Sequence, residues 1–72
     1  MKFGEALEEL KEGNSIQRVG WNGKNQYVYM AKLQENVEPC FILKNAQDKL
    51  QPGWIPSMGD MLATDWEVFI PF

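Results

Sequence analysis

The stretch "SIQRVGWNGKNQYVYM", residues 15–30, indicates the fold most clearly because its pattern predicts a strand, a turn and a second strand. Apolar and polar residues alternate in its first part, which predicts a short strand over 15–19. The letters "GWNGKN" follow as a turn, in which Gly20 and Gly23 are available for positive φ angles. The β-branched and aromatic residues after the turn predict a second strand over 26–33.

The segment before this stretch predicts a helix. Apolar residues recur there at helical spacing, and acidic residues near its start suit the positive end of the helix dipole. Gly13 supplies a stop signal. We therefore expect a helix over 4–12 whose narrow apolar face packs on one side of a sheet.

Two further strands and a short helix complete the expected fold. The apolar run "CFILKN", residues 40–45, predicts a central strand, and "DWEVFI", residues 65–70, predicts the last one. Between them, Ser57 followed three residues later by Asp60 resembles a capping box that begins a helix over about 57–63. The prediction is a single α+β domain of 72 residues, with an N-terminal helix on a small antiparallel sheet and a short helical turn before the last strand.

Composition limits the functions that the chain can perform. A chain of this size buries only about 60% of its unfolded surface, so either one core stabilises the whole domain or an oligomer adds packing, and the composition favours an oligomer. The net charge is −3 and the basic residues are scattered singly, which argues against partners such as polymeric nucleic acid or a charged membrane surface. The sequence has no histidine and one cysteine, so a His-based catalytic site and a His/Cys metal site are excluded. The charged N-terminus predicts neither a signal peptide nor a membrane span, as expected for a complete cytosolic protein without a cofactor.

The first loop gathers an aromatic, an amide and two cations. Trp21 is followed by Asn22 and Lys24, and Arg18 precedes it. In one interpretation the Trp21 indole folds back over the core. In the other it is a stacking platform for a purine, and the two cations pair with phosphate.

The second loop surrounds another tryptophan. Pro52 and Pro56 are expected to prevent regular structure around Trp54, which either closes over the core or forms a rigid wall of a pocket. Ser57 suits an N-cap, and the backbone N–H groups of its helix suit a phosphate oxygen. Asp60 would repel an anion at that position but could accept hydrogen bonds from ribose hydroxyls.

The order of the motifs resembles a known family. "FGEALEELKEG", "RVGWNGKNQYVYM", "CFILKN" and "PGWIPSMGDMLATDWEV" occur in the same order in small phage and prophage proteins, the second type of Thoeris anti-defence protein. The similarity extends from Phe3 to about Val68, and "GWNGK" is one of its most distinctive pieces. The other is the pattern P-S-x-x-D-x-L-A-x-D-W.

This resemblance implies a non-catalytic protein that sequesters cyclic ADP-ribose isomers made by bacterial TIR-domain defence proteins. Some members of the family also bind cyclic dinucleotides. The resemblance further implies a homotetramer with ligand pockets at subunit interfaces, in the cytoplasm of an infected or lysogenic host. The compact stretch "LKNAQDKLQPGW" and the short connector "QENVEP" depart from the family pattern, so we expect a pocket of different size.

The resemblance also implies roles for individual residues. Trp21 would stack on adenine, with Asn22 and Lys24 beside it and Arg18 near the pyrophosphate. The opposite wall and the ribose contacts would come from the second loop. The complete set of implied ligand-binding residues is Phe3, Arg18, Trp21, Asn22, Lys24, Trp54, Ser57 and Asp60. Within it, Phe3 would offer a second stacking face.

Two other functions remain open from the residues alone. A protein-interaction module would use exposed tryptophan and tyrosine side chains as a hot spot for a host protein. A small hydrolase of cyclic nucleotides would use Asp60 or Asp65 as a general base. Asp65 and Glu67 are expected on one face of the last strand, where a solvated surface is the simpler interpretation.

Overall fold

The computed structural model describes residues 1–71. Within this range the chain forms five strands and two helices. The strands form one sheet in the order β4-β3-β2-β1-β5, and each neighbouring pair is antiparallel. The predicted α+β class is confirmed. In chain order the elements are α1 (Phe3–Lys11), β1 (Ser15–Arg18), β2 (Tyr27–Ala31), β3 (Cys40–Lys44), β4 (Leu50–Pro52), α2 (Met58–Leu62) and β5 (Trp66–Phe69).

The strand β4 was not predicted, because prolines and Gly53 read as irregular structure. The strand lies at the edge of the sheet and pairs with β3, where Pro52 lies opposite Ile42. A proline fits at an edge because its missing N–H need not contribute to the sheet. Gly53, with a φ of 80°, then turns the chain, so the irregular structure expected around Trp54 begins only at this residue.

The core lies between α1 and one face of the sheet. Ala6 and Leu10 of α1 are fully buried against Ile16 of β1, Val28 of β2 and Trp66 of β5. Because side chains alternate along a strand, these three strand residues mark a single face of the sheet. The expectation that the narrow apolar side of the first helix packs on one side of the sheet is therefore confirmed.

The opposite face of the sheet has its own aromatic surface. Tyr27 stacks on Phe69 with ring centroids 4.9 Å apart, and Tyr29 lies 6.1 Å from Tyr27. Ile42, the cross-strand partner of Tyr29, is buried although no helix of residues 1–71 covers this face. The chain therefore has apolar side chains on both faces of a five-stranded sheet.

The turn between β1 and β2 differs from its prediction. Neither Gly20 nor Gly23 has a positive φ, and within this turn Asn25 takes that conformation instead, with a φ of 61°. Both glycines lie close to neighbouring side chains. An added Cβ would lie 2.8 Å from Asp65 Oδ2 at Gly20; at Gly23 it would overlap the Gln26 side-chain amide and lie 3.0 Å from the Ala46 Cβ.

Candidate functional site

Three tryptophans meet on the helix side of the sheet. The Trp21 ring is edge-on to Trp66, with centroids 5.4 Å apart, and to Trp54 at 6.3 Å. Trp66 is buried, whereas Trp21 and Trp54 are half-buried. Trp21 thus packs over the core, and only its remaining exposed surface is available to a ligand.

Asp60 connects α2 to the first loop and to the sheet. Its Oδ1 accepts hydrogen bonds from Arg18 Nη1 at 3.0 Å and from Trp21 Nε1 at 3.2 Å, while Oδ2 accepts one from the Ser57 backbone N–H at 3.0 Å. Its backbone oxygen accepts a bond from Trp66 Nε1 at 2.8 Å. A carboxylate side chain that is only 13% exposed is tolerated because both of its oxygens have partners.

The capping box predicted at the start of α2 is confirmed. Ser57 Oγ accepts a hydrogen bond from the Asp60 backbone N–H at 3.0 Å, and the Asp60 carboxylate returns to the Ser57 backbone N–H. The hydroxyl and the backbone N–H of Ser57 are therefore already engaged within the chain. The helix itself runs from Met58 to Leu62, slightly shorter than expected.

Arg18 bridges two carboxylates. Besides its bond to Asp60, it donates from Nε to Asp65 Oδ1 at 2.8 Å, and the Gly20 backbone N–H donates to Asp65 Oδ2 at 2.8 Å. The expectation that Asp65 and Glu67 share a solvated face is wrong for Asp65. This residue precedes β5, so strand alternation does not govern its side chain, while Glu67 accepts a hydrogen bond from Gln17.

These contacts keep all three groups charged. The hydrogen bonds that Arg18 donates to Asp65 and then to Asp60 raise the pKa of Arg18, and the hydrogen bond from Arg18 is the largest cause that lowers the pKa of Asp65. Burial opposes ionisation of Asp60, but hydrogen bonds from Ser57, Arg18 and Trp21 outweigh it and lower the pKa of Asp60. A carboxylate with a lowered pKa is a weak general base near neutral pH.

Trp21 belongs to the lining of two shallow hollows. The first has a volume of about 280 Å³ and is lined by Trp21, Asn22, Gln26, Leu43, Trp54 and Asp60. The second has a volume of about 330 Å³ and includes Arg18, Trp21, Lys24, Glu67 and Phe69 in its lining. A third, of about 260 Å³, lies beside Tyr27 and Phe69 on the opposite sheet face. These volumes are at or below the lower end of the range for small-molecule pockets.

The structure divides the residues implied by the resemblance into two groups. Most of the set lines one of the two hollows at Trp21. Phe3 and Ser57 line neither of these hollows, and the Phe3 ring instead packs 5.4 Å from Trp66. Asp65 was missed as a site-supporting residue. The available signal was its place directly before Trp66 in the distinctive motif, but spacing alone did not show that it would meet Arg18.

The described part of the chain sets two further bounds on the site. Within residues 1–71, no group of three or more His, Cys, Asp or Glu side chains is placed to hold a metal ion. Neither helix of that range has the length and apolar character needed to cross a membrane.

The fold and the site together define a small α+β domain with an aromatic surface site flanked by amide and cationic side chains. The sequence model of the Thoeris anti-defense 2-like domain matches residues 1–69. The chain is also 37% identical to Thoeris anti-defense 2 of Bacillus phage SP01, over 94% of this chain and 93% of that relative. The chain therefore belongs to the Thoeris anti-defense 2-like family, which confirms the resemblance seen in its motifs and supports an anti-defence role.

Proposed function

We propose that this chain binds and sequesters a cyclic ADP-ribose isomer made by a bacterial defence enzyme, without catalysis. It would act in the cytoplasm of the infected or lysogenic host, and cyclic dinucleotides are a second ligand class for it. The observation that carries the proposal is that Trp21 lines two hollows. Trp54, Asn22 and Asp60 also line the first, and Arg18 and Lys24, together with Glu67, also line the second. Bound signal could not reach its effector, so binding alone would protect the phage.

The first hollow suits the base and the ribose. Trp21 would stack on adenine, Trp54 would form the opposite wall, and the exposed Asn22 amide would reach the edge of the base. Asp60 Oδ2 accepts one hydrogen bond within residues 1–71, which leaves it acceptor capacity for a ribose hydroxyl.

The second hollow suits the phosphates. Lys24 is exposed and forms no ion pair with the other residues that the structure describes. Arg18 lies near the same hollow, but Asp60 and Asp65 already compensate its charge. Lys24 would therefore provide more of the attraction for the pyrophosphate, with Arg18 as a second donor. In this proposal the other two implied residues, Phe3 and Ser57, support the site through their contacts within the chain.

The acid–base properties of the site support binding without turnover. Hydrolysis would require Asp60 or Asp65 to take a proton from water, and the pKa of each carboxyl is lowered by its hydrogen bonds, against the effect of burial. Ligand recovered after denaturation should consequently be chemically unchanged. Recovery of a cleaved product would favour the hydrolase alternative.

A homotetramer is part of the proposal because neither hollow encloses a nucleotide alone. Walls from a neighbouring subunit would enlarge the site at an interface. Exposed apolar side chains on and before α2 are available for such contacts, among them Ile55, Met58 and Leu62. Light scattering should give four times the 8.3 kDa mass of the protomer. A monomer at micromolar concentration would contradict this part of the proposal.

The binding test is a titration with a panel of cyclic ADP-ribose isomers, followed by tryptophan fluorescence and thermal unfolding. Ligand at 100 times Kd should raise the free energy of unfolding by about 2.7 kcal/mol. Trp21→Ala should abolish the response. Lys24→Ala should weaken binding and reduce its salt dependence, whereas Lys49→Ala, at an exposed lysine of the β3–β4 turn, is the matched control. A response to no isomer in the panel would refute cyclic ADP-ribose as the ligand.

The exposed apolar residues also favour a second candidate, a protein-interaction module that inhibits a host protein. Ile55→Ser together with Met58→Ser separates the two functions. Loss of host-protein capture with retained nucleotide binding would favour the interaction module. Loss of the tetramer together with nucleotide binding would favour the interface site.

A further inference from the structure

The three residues before Trp21 are all bound to one residue, Asp65. Arg18 donates from Nε to Asp65 Oδ1 at 2.8 Å, Val19 donates from its backbone N–H to the Asp65 carbonyl at 3.1 Å, and Gly20 donates from its backbone N–H to Oδ2 at 2.8 Å. The β1–β5 ladder ends at the pair Arg18 and Trp66. Asp65 therefore continues to hold the chain after the regular strand pairing has ended.

The same network reaches the Trp21 indole. The Trp21 backbone N–H donates to the Arg18 carbonyl at 3.3 Å, and Trp21 Nε1 donates to Asp60 Oδ1 at 3.2 Å. Arg18 Nη1 donates to that same Asp60 oxygen, so one guanidinium connects the two carboxylates. Asp65 itself lines neither hollow beside Trp21, and any effect on a ligand has to pass through its neighbours.

We propose that Asp65 is a positioning residue that fixes the place of the Trp21 indole. It ties down the backbone before Trp21 and orients Arg18, which shares the Asp60 oxygen with the indole. The effect on ligand affinity rests on the proposed function, but the position of the indole in the free protein does not. Asp65→Asn replaces one carboxylate oxygen by an NH₂ group, so either Arg18 or Gly20 would face a donor instead of an acceptor.

The first test measures hydrogen exchange of the tryptophan indole N–H groups by NMR in the ligand-free protein. Asp65→Asn should make the Trp21 indole N–H exchange about tenfold faster, because local opening governs such exchange. The Trp66 indole N–H, buried and bonded to the Asp60 carbonyl at 2.8 Å, is the internal reference and should keep its rate. Asp48→Asn is the control variant, since Asp48 pairs with Lys44 and none of the side-chain hydrogen bonds of Arg18, Gly20 and Trp21 goes to it.

The second test perturbs the contact between Gly20 and Asp65 by changing Gly20. A Cβ at Gly20 would lie 2.8 Å from Asp65 Oδ2, so Gly20→Ala should displace the carboxylate and also speed Trp21 indole exchange. In an Asp65→Ala background the clashing oxygen is gone, and Gly20→Ala should add little. This non-additivity identifies a direct coupling between the two residues.

The effect of Asp65 on ligand binding is tested by measuring Kd for the cyclic ADP-ribose isomer that binds the wild type. Asp65→Asn and Gly20→Ala should each weaken binding, with Kd raised about tenfold, the lower end of the range measured when residues that orient metal ligands are replaced. Unchanged Trp21 exchange in Asp65→Asn overturns the proposal, and so does equal acceleration at Trp21 and Trp66, which indicates general destabilisation. Unchanged Kd overturns the role in binding. If the wild type binds no isomer, the proposed function fails, while the exchange comparison still decides the positioning role.

Discussion

Asp60→Asn tests whether a single carboxylate holds α2 and the first loop together. The wild-type side chain accepts hydrogen bonds from Ser57, Arg18 and Trp21. Asparagine has almost the same shape but only one oxygen, so its NH₂ group must face at least one of these donors. If the oxygen stays toward Arg18 and Trp21, the NH₂ group faces the Ser57 backbone N–H and the capping-box bond is lost.

The contacts of Asp60 set the expected magnitude. A hydrogen bond to a charged group contributes about 1.5–3 kcal/mol, and loss of a helix cap costs about 1 kcal/mol. Asp60 is only 9% exposed, so water cannot fully replace the lost partner, although the hydroxyl of Ser57 still caps the helix. We expect Asp60→Asn to lower the free energy of unfolding by about 2 kcal/mol. For a domain of this size the change corresponds to a fall in Tm of about 8–16 °C.

Urea unfolding followed by circular dichroism measures this change. Asp48→Asn is the matched control, because it is the same substitution at an aspartate whose side chain is 81% exposed. The control should unfold like the wild type. The reasoning is refuted if Asp60→Asn lies within about 0.5 kcal/mol of the wild type, the range typical of surface changes, or if both variants lose the same stability.

Further changes test the acid dependence of this contact and the neighbouring backbone. Burial opposes ionisation of Asp60, but the hydrogen bonds that its carboxylate accepts outweigh burial and lower its pKa. The contribution of Asp60 to the free energy of unfolding is therefore complete above the pKa of an unfolded aspartate, about 3.9. That contribution is lost as pH falls through the lower pKa of the folded state. The wild type should lose more stability than Asp60→Asn below about pH 4 in urea titrations, and parallel pH curves would contradict this. Ser57→Ala should lower the free energy of unfolding by about 1 kcal/mol, and an unchanged Tm would argue against the cap. Gly53→Ala should lower the free energy of unfolding by about 1 kcal/mol because the φ of Gly53 is 80°. Gly4→Ala within α1 should raise it by up to about 1 kcal/mol. A higher Tm for Gly53→Ala than for Gly4→Ala would refute both backbone assignments.

The parts of the fold that follow from neighbouring residues were predictable. Helical spacing gave α1 to within one residue at each end, and the Ser57–Asp60 pair gave the start of α2. Alternation and apolar runs gave four of the strands with small errors at their ends. β4 was missed because Pro52 disfavours a strand locally, and only its place at the sheet edge makes the proline acceptable.

The candidate site also combines features that are local in the sequence with contacts between distant residues. The residue types on the two loops could be read locally, because the aromatic, amide and charged residues are visible in "GWNGK" and "PGWIPSMGD". The contacts of those residues follow from the packing of distant segments. Antiparallel pairing of β1 with β5 brings Arg18 to Asp65, 47 residues further along the chain, and packing of α2 places Asp60 against Trp21. Such contacts depend on how the whole sheet assembles, so no local pattern could assign Arg18 to two carboxylates or show that Gly20 lies against the Asp65 carboxylate.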